Sequence, residues 1–199
     1  RLGIVYIQTK FKLLTILSKE KAAQKAFEVF GTPFLKSKSK AALKNAENIE
    51  LLLNGKKVKG YRWNHPRPGK ILILHGFGSA AHKFESYAVL LAMHGFEVLA
   101  FDAPAHGGSE GVYTNAIEYS AMIEKVIAGY GPIQGFIAHS FGGISLSLAL
   151  EKIQHTINTK VVFIAPATET TSAVDGAFNM LKLKNKEVRK EFDKIIKTI

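Results

Sequence analysis

One short segment, 138–143, combines a serine hydroxyl with small residues on either side. Its sequence, Ala-His-Ser-Phe-Gly-Gly, lies between an apolar run and a segment of helical pattern. A serine on a sharp strand-to-helix turn, in the pattern G-x-S-x-G, projects its hydroxyl out of the sheet beside the helix N-terminus, where backbone N–H groups face a substrate. Small residues are needed two places before and after the serine, and here they are Ala138 and Gly142. Ser140 is therefore a candidate nucleophile.

A second segment, His-Gly-Phe-Gly-Ser, begins at His75, directly after an apolar run. The tetrahedral intermediate of acyl transfer carries an oxyanion, which needs preorganised N–H donors. The predicted donors are the backbone N–H groups of Phe77 and Phe141, and Gly76 and Gly78 would let the backbone come close to a substrate. His75 is predicted to be a structural histidine that holds this loop by hydrogen bonds, because the base of such a site follows the serine in the chain.

A third segment, 101–111, is rich in glycine and follows the next apolar run. Its turn chemistry predicts a tight loop at the C-terminal end of the sheet, where open α/β sheets bind ligands. Asp102 and His106 in this loop could form an acid–base pair, but we expect both to fix the loop by hydrogen bonds. His139, beside Ser140, is the last of the predicted supporting residues.

Hydrophobic periodicity predicts the elements that position these segments. Continuous apolar runs indicate buried strands, at 71–74, 98–101, 133–138 and 161–165. Helical patterns are found at 80–93, 115–128, 144–152, 172–183 and 186–199. The alternation predicts an α/β fold, with a mostly parallel sheet and helices on both faces. Ahead of it, Asn54-Gly55 predicts an antiparallel hairpin between 49–53 and 58–63.

The N-terminal region predicts two helices before the hairpin. Residues 2–17 are apolar but are interrupted by Gln8, Lys10 and Lys12, so they are too short and too polar for a membrane span. We expect a basic amphipathic helix lying on a protein or lipid surface, with 1–17 as a peripheral membrane contact of a cytoplasmic protein. Ser18 is the predicted N-cap of the next helix, which should end at Gly31.

Composition limits the classes of function. A chain of 199 residues with 47% hydrophobic residues fits one soluble globular domain. Without cysteine it can form no disulfide and no thiolate metal site, which is compatible with a reducing compartment. The net charge of +11 comes from lysines in two flanks with few aromatic residues between them. We interpret them as a solvated surface and predict no nucleic-acid partner.

The three segments, 75–78, 102–109 and 139–143 in that order, resemble the α/β-hydrolase superfamily. They are most similar to its branch of small serine esterases, monoglyceride-lipase-like and aminopeptidase-like enzymes. The resemblance covers about 49–166. It implies an α/β-hydrolase fold, Ser140 as the nucleophile and the N–H groups of Phe77 and Phe141 as the oxyanion hole, with no metal or organic cofactor.

The resemblance also implies a division of the chain. Residues 1–45 would be an N-terminal helical extension, 46–168 an incomplete hydrolase core, and 169–199 the start of a helical cap. Apolar residues of that cap hint at a lipid-like acyl group in the substrate, a small-molecule ester; they are Phe178, Leu181 and Leu183.

The chain departs from the family after the serine. The family order is serine, acid, histidine, with the last two on loops after later strands. The only histidine after Ser140 is His155, expected at the other end of the sheet, and Glu169 and Asp175 have no accompanying base. We therefore predict a fragment of a longer serine hydrolase that acts on an ester, thioester or amide and lacks the triad acid and histidine. A start without methionine and an end inside a helical pattern favour a fragment over a complete but degenerate protein.

Two other functions remain open at this point. Gly76-Phe77-Gly78-Ser79-Ala80-Ala81 fits the dinucleotide-binding pattern G-x-G-x-x-[G/A], and Asp102 lies roughly where a ribose-binding acid would be. Against this interpretation, a hairpin precedes the pattern, and the serine turn is left without a role. The second alternative is a non-catalytic interaction protein built on a hydrolase scaffold.

Overall fold

A computed structural model describes residues 2–34, 37, 43–167, 171–180 and 182–198. The chain divides into two compact units. The larger unit is Pro33–Thr168, and the smaller one combines Arg1–Thr32 with Glu169–Ile199. The N-terminal extension and the C-terminal segment, which the sequence suggested to be separate, thus lie in the same unit.

The larger unit is built on a six-stranded sheet. Its strands are β1 (Glu47–Leu53), β2 (Lys56–Trp63), β3 (Lys70–Leu74), β4 (Glu97–Phe101), β5 (Gly135–His139) and β6 (Lys160–Ile164). They are ordered β1-β2-β4-β3-β5-β6. β1 and β2 form the predicted antiparallel hairpin, and β2 is also antiparallel to β4. The other neighbours pair in parallel, so the predicted fold class is confirmed.

The helices described for the whole chain are α1 (Leu2–Leu17), α2 (Lys19–Phe30), α3 (Glu85–Met93), α4 (Ala116–Tyr130), α5 (Phe141–Leu150), α6 (Thr171–Met180) and α7 (Lys186–Thr198). The predicted N-cap of α2 is confirmed, because the side chain of Ser18 accepts a hydrogen bond there. The side chain of Asn115 caps α4 in the same way. Between β3 and α3 the chain forms a 3-10 turn, Ala81–Phe84, rather than the predicted continuous helix from residue 80.

Helices cover both faces of the sheet because the central strands are apolar on both sides. In β4, Leu99 and Phe101 pack with α4 and α5, whereas Val98 and Ala100 face the side covered by α3. All five residues of β4 are buried. This two-sided burial explains why the strand has no polar alternation in its sequence.

The outer strand β6 is covered less well than the others. The side chains of Val162 and Phe163 remain 53% and 43% exposed. β6 pairs only with β5 among the described residues, so its outer edge and part of its apolar surface face solvent.

The smaller unit has its own apolar core, made by α1, α2, α6 and α7. Its aromatic centre includes Phe178 and Phe192, whose ring centroids lie 5.1 Å apart, and Leu183 packs against it. Phe178 and Leu183 therefore do not form the apolar cap face that the sequence suggested, because a helical stripe does not reveal which partner it packs on. Leu181 lies outside the described residues.

Helix α1 has apolar side chains on two faces. Phe11 is buried in the core of the smaller unit, whereas Leu13, Ile16 and Leu17 are 60–83% exposed. No helix in the described part of the chain has the length and apolar character needed to cross a lipid bilayer. One apolar face of α1 therefore packs on the core of the smaller unit, and a second apolar face is exposed.

The close packing of Gly60 on the sheet leads to a testable prediction. A Cβ atom added at Gly60 would collide with the ring of Phe101, which is fully buried. We expect Gly60→Ala to lower the free energy of unfolding of this unit by ~1–3 kcal/mol, the usual cost of overpacking. The measurement is urea unfolding followed by the fluorescence of Trp63, the only tryptophan, which is buried in this unit.

Gly129→Ala is the matched control. Gly129 lies in α4 with no atom close enough to meet a new Cβ, so alanine there should be neutral or stabilising by up to ~1 kcal/mol. Equal stability of Gly60→Ala and the wild-type chain would contradict this account of β2 packing.

Candidate active site

Ser140 occupies the turn between β5 and α5 in a backbone conformation that L-residues rarely adopt, with φ 49° and ψ −115°. Such a conformation costs roughly 1–3 kcal/mol and persists only where its surroundings hold it. Here the Ser140 N–H donates to the carbonyl of Ile164 at 3.0 Å. The Ser140 carbonyl accepts from the N–H groups of Gly143 at 2.8 Å and Ala167 at 3.1 Å. The neighbouring strand β6 and its following loop thus clamp the turn.

The small residues around Ser140 are required by close backbone contacts. A Cβ at Gly142 would lie 2.8 Å from the carbonyl oxygens of Leu74 and His75, and one at Gly143 would lie 2.9 Å from Pro166. The expected need for a small residue at 142 is thus confirmed, because the start of α5 packs closely on the end of β3. Helix α5 begins at Phe141, three residues before the predicted start, so both glycines lie in its first turn.

The loop after β3 lies against this turn. A Cβ at Gly76 would be 3.1 Å from the Cβ of Ser140, and the rings of Phe77 and Phe141 meet edge to face at 5.6 Å. Phe141 is the first residue of α5, where an N–H has no acceptor within its own helix. The N–H of Phe77 donates to no other residue in the described ranges. Both backbone N–H groups expected to bind an oxyanion therefore belong to segments that adjoin Ser140.

Two histidines fix the ends of this loop. His75 donates from Nδ1 to the carbonyl of Gly76 at 2.8 Å, and its Nε2 accepts from the N–H of Ala103 at 2.9 Å. His106 accepts from the N–H of Gly78 at 3.0 Å with its Nε2. Burial lowers the pKa of His75 from its ordinary value to about 3, so this ring is neutral at physiological pH.

Asp102 organises the loop after β4. Its two carboxylate oxygens accept from the N–H groups of Ala81 and Gly108, each at 2.8 Å. Burial raises the pKa of Asp102, and these two N–H donors partly offset that effect. The hydroxyl of Ser109 donates to the Asp102 carbonyl at 2.7 Å. Both ring nitrogens of His106 bond to backbone groups, Nε2 to the Gly78 N–H and Nδ1 to the Pro104 carbonyl, so Asp102 and His106 do not form the acid–base pair.

The same contacts weigh against dinucleotide binding. A ribose-binding acid must present its oxygens to the ligand, whereas Asp102 is buried and holds the N–H of Ala81, at the end of the pattern in question. The pattern also follows β3, the third strand in sequence, after an antiparallel pair rather than the first strand of the fold.

Two more residues lie beside the site, and only the first of them was predicted from the sequence. His139 was expected, and its Nδ1 is buried without a hydrogen-bond partner among the described residues; a Cβ at Gly76 would come within 2.7 Å of it. Tyr119 was not expected. It is fully buried, donates from its hydroxyl to the His75 carbonyl at 3.3 Å, and contacts the Phe141 ring at 5.6 Å. The sequence indicated only that Tyr119 lies on the apolar face of a predicted helix.

A base for Ser140 is not present in the described ranges. No histidine or carboxylate there hydrogen-bonds to its hydroxyl. His155 is exposed in the turn between α5 and β6, and Asp175 is paired with Arg189 in the smaller unit. Glu169 lies outside the described residues. The part of the chain that the structure describes also contains no cluster of metal-ligating side chains.

The buried neutral state of His75 leads to a pH prediction. The unfolded chain binds a proton at His75 with an ordinary pKa near 6.5, whereas the folded chain does so only near pH 3. Stability is therefore lost as pH falls below about 6.5, by up to ~1.4 kcal/mol per pH unit from this group. Unfolding in urea at pH 7, 6 and 5 should show this slope in the wild type and a shallower one in His75→Gln. The exposed His155→Gln variant is the control, and identical slopes for His75→Gln and wild type would overturn the assignment.

Comparison with known proteins identifies the family to which this fold belongs. A model of the α/β hydrolase family matches residues 71–193. An esterase from Pyrococcus furiosus is 20% identical, with a TM-score of 0.55, over 68% of this chain and 59% of its own. An esterase from Exiguobacterium antarcticum is 18% identical, with a TM-score of 0.52, over 58% of this chain and 44% of its own.

An epoxide hydrolase from Vigna radiata is also 18% identical, with a TM-score of 0.52, over 62% of this chain and 39% of its own. No curated protein sequence matches. This chain thus spans less than two thirds of each of these structures, and at such identities the likeness concerns the fold. With the family model covering more than half of its residues, the chain belongs to the α/β hydrolase family.

Proposed function

We propose that this chain carries the nucleophile and the oxyanion-binding part of a serine hydrolase that acts on a carboxylic ester, thioester or amide. The observation that carries the proposal is the strained backbone of Ser140, held at the junction of β5 and α5 beside the N–H groups of Phe77 and Phe141. Strain of this kind is kept where a side chain must be presented at a functional site.

The mechanism would use these groups in order. The Ser140 Oγ attacks the carbonyl carbon while a histidine takes its proton. The carbonyl oxygen becomes an oxyanion, which accepts hydrogen bonds from the two backbone N–H groups. The C–O, C–S or C–N bond then breaks, the histidine protonates the leaving group, and an acyl-enzyme on Ser140 remains. Water, deprotonated by the same histidine, releases the acid and restores the serine.

The histidine and its acid would come from segments other than these 199 residues. Three observations support this proposal: Ser140 has no base in the described ranges, β6 exposes Val162 and Phe163 along an unpaired edge, and the chain spans 59% of the length of the Pyrococcus furiosus esterase. A further parallel strand beside β6 would cover the exposed apolar surface and deliver a loop to the same edge of the sheet.

A non-catalytic interaction protein is the second candidate, because an unactivated serine hydroxyl is a weak nucleophile. The absence of a base among the described residues is the observation that favours it. The site geometry itself is common to both candidates, so only reactivity separates them.

Labelling by a fluorophosphonate probe tests the proposal. In the longest natural protein that contains this sequence, we expect Ser140 to be labelled and Ser140→Ala to lose all labelling. Ser147→Ala is the matched control, since this hydroxyl lies in α5 and donates to the Gly143 carbonyl. The 199-residue chain should label at least ~10³-fold more slowly, because the base is missing. Labelling that persists in Ser140→Ala, or no labelling of the folded longer protein, would contradict the hydrolase proposal.

We also propose that α1 contacts an anionic membrane surface. Leu13, Ile16 and Leu17 form an exposed apolar face, and Lys10 and Lys12 are exposed on the same helix. The sequence has no acidic residue before Glu20, so the segment is attracted to anionic lipids. The apolar residues would insert at the headgroup boundary.

Cosedimentation with vesicles of phosphatidylglycerol and phosphatidylcholine measures this contact. Ile16→Ser with Leu17→Ser should reduce the bound fraction several-fold, whereas Leu90→Ser, an exposed apolar site on α3, should leave it unchanged. Point variants are preferred to deletion of α1, because Phe11 is part of the core. Equal binding of all variants, or no binding by the wild type, would reject the proposal.

A further inference from the structure

The three-residue loop from Gly76 to Gly78 is held by two histidines, one directly after β3 and one in the loop after β4. His75 fixes its first carbonyl, and His106, which is 28 residues beyond Gly78 in the chain, fixes its last N–H. Phe77 is the only residue between these two fixed points. The Gly76 carbonyl also accepts from the Ser79 N–H at 3.1 Å, which closes a turn over the same residues. The bond between Gly78 and His106 joins this turn to the loop after β4, and so helps to set the direction of the Phe77 N–H within the site.

The hydrogen bonds of His106 define its protonation state. Its Nε2 accepts from the Gly78 N–H, so Nε2 carries no hydrogen. The ring proton is then on Nδ1, which donates to the carbonyl of Pro104 at 2.9 Å. A second proton could bind only at Nε2, where it would face the N–H of Gly78. The bond to Gly78 thus exists only while His106 is neutral.

The ring of His106 also supports the side chain of Phe77. The two rings meet edge to face at 5.2 Å, and Phe77 meets Phe141 in the same way at 5.6 Å. Phe77 is 43% exposed, so its position depends on these ring contacts. His106 consequently restrains both the backbone and the side chain at this position.

We propose that His106 is a positioning residue of the serine site, which in its neutral form aims the Phe77 N–H at the oxyanion and on protonation releases it. This inference rests on the proposed function and adds a pH-sensitive part to it. His106 touches no reacting atom and acts through Gly78.

The ionisable groups in this region lie on five segments: β2, the loop after β3, the 3-10 turn, the loop after β4 and the end of β5. His75, in the loop after β3, has its ring 5.3 Å away. Asp102, in the same loop as His106, is buried and interacts electrostatically with His82 and Lys59. His139, at the end of β5, acts on His75 together with His82 and His106. A negative charge on Asp102 favours cations in this region, and positive charges on the other histidines oppose them.

Nuclear magnetic resonance of the 199-residue chain tests the bond without any need for activity. Long-range imidazole spectra should show His106 as the Nδ1–H tautomer at about pH 7.5, where an ordinary imidazole is neutral. As pH falls, the Gly78 amide proton should move to the shift of a released amide with the same midpoint as His106. An Nε2–H tautomer, or a Gly78 amide that ignores the titration of His106, would overturn the proposal.

Variants of the longest natural protein that contains this sequence test whether His106 positions the Phe77 N–H. His106→Phe keeps a ring but has no acceptor. We expect its kcat to fall about 10–100-fold while KM changes less than about threefold, since the change misdirects an oxyanion donor and leaves substrate binding intact. His106→Gln can offer Oε1 to the Gly78 N–H, so it should retain most of kcat. It should also lose that part of the fall of kcat at low pH, the acid limb of the pH profile, that protonation of His106 causes. His94→Phe, an exposed site at the end of α3, is the control.

The outcomes separate this inference from the proposed function. If Ser140 reacts equally in His106→Phe and wild type, positioning by His106 is wrong and the hydrolase proposal stands. If no variant reacts although Gly78 and His106 titrate together, the hydrolase proposal fails and the pH-sensitive bond stands. If His106→Phe does not fold, as judged by Trp63 fluorescence, the kcat and acid limb of His106→Gln decide: an unaltered acid limb would overturn the inference.

Discussion

The constraint on which the site depends is the left-handed backbone of Ser140 between β5 and α5. The turn is stable because β5 lies between β3 and β6. From one side β6 supplies the Ile164 carbonyl to the Ser140 N–H, and on the other side the carbonyls of Leu74 and His75 leave room only for glycine at 142. The strand order is therefore part of the site: without both neighbours, nothing would offset the strain of the turn.

The second layer of organisation is hydrogen bonding between loops that are rich in glycine. Such loops lose much conformational entropy on folding, so they need specific contacts to stay ordered. Asp102 and His75 provide these contacts with buried polar atoms that bind backbone N–H groups across different loops. An unpaired buried N–H or carboxylate is expensive, so each such bond penalises any other arrangement of the loops. His106 likewise binds the Gly78 N–H and the Pro104 carbonyl, so Asp102 and His106, the possible acid–base pair in the sequence, both hold loops in place.

The sequence predicted features whose causes are local. Asn54-Gly55 forms the turn of a hairpin, Ser18 is the N-cap of α2, and unbroken apolar runs mark the parallel strands, of which β4 is buried along its whole length. It failed where the cause is a distant partner. The sequence suggested that Phe178 belongs to an apolar cap face, because a helical stripe does not identify the element on which it packs, which here includes Phe192 of α7.

Electrophile binding and nucleophile activation are separable in this fold. The contacts that hold the Ser140 turn and the loop at Phe77 come from β3 to β6, so the two N–H groups that we propose as oxyanion donors are held in place without a base. A preorganised donor lowers the energy of a developing charge without reorganising, whereas the serine hydroxyl needs a neighbouring base to become nucleophilic. Esterases and an epoxide hydrolase share this frame. In the proposed mechanism the strand framework would therefore hold the electrophile, and the groups added around it would select the reaction.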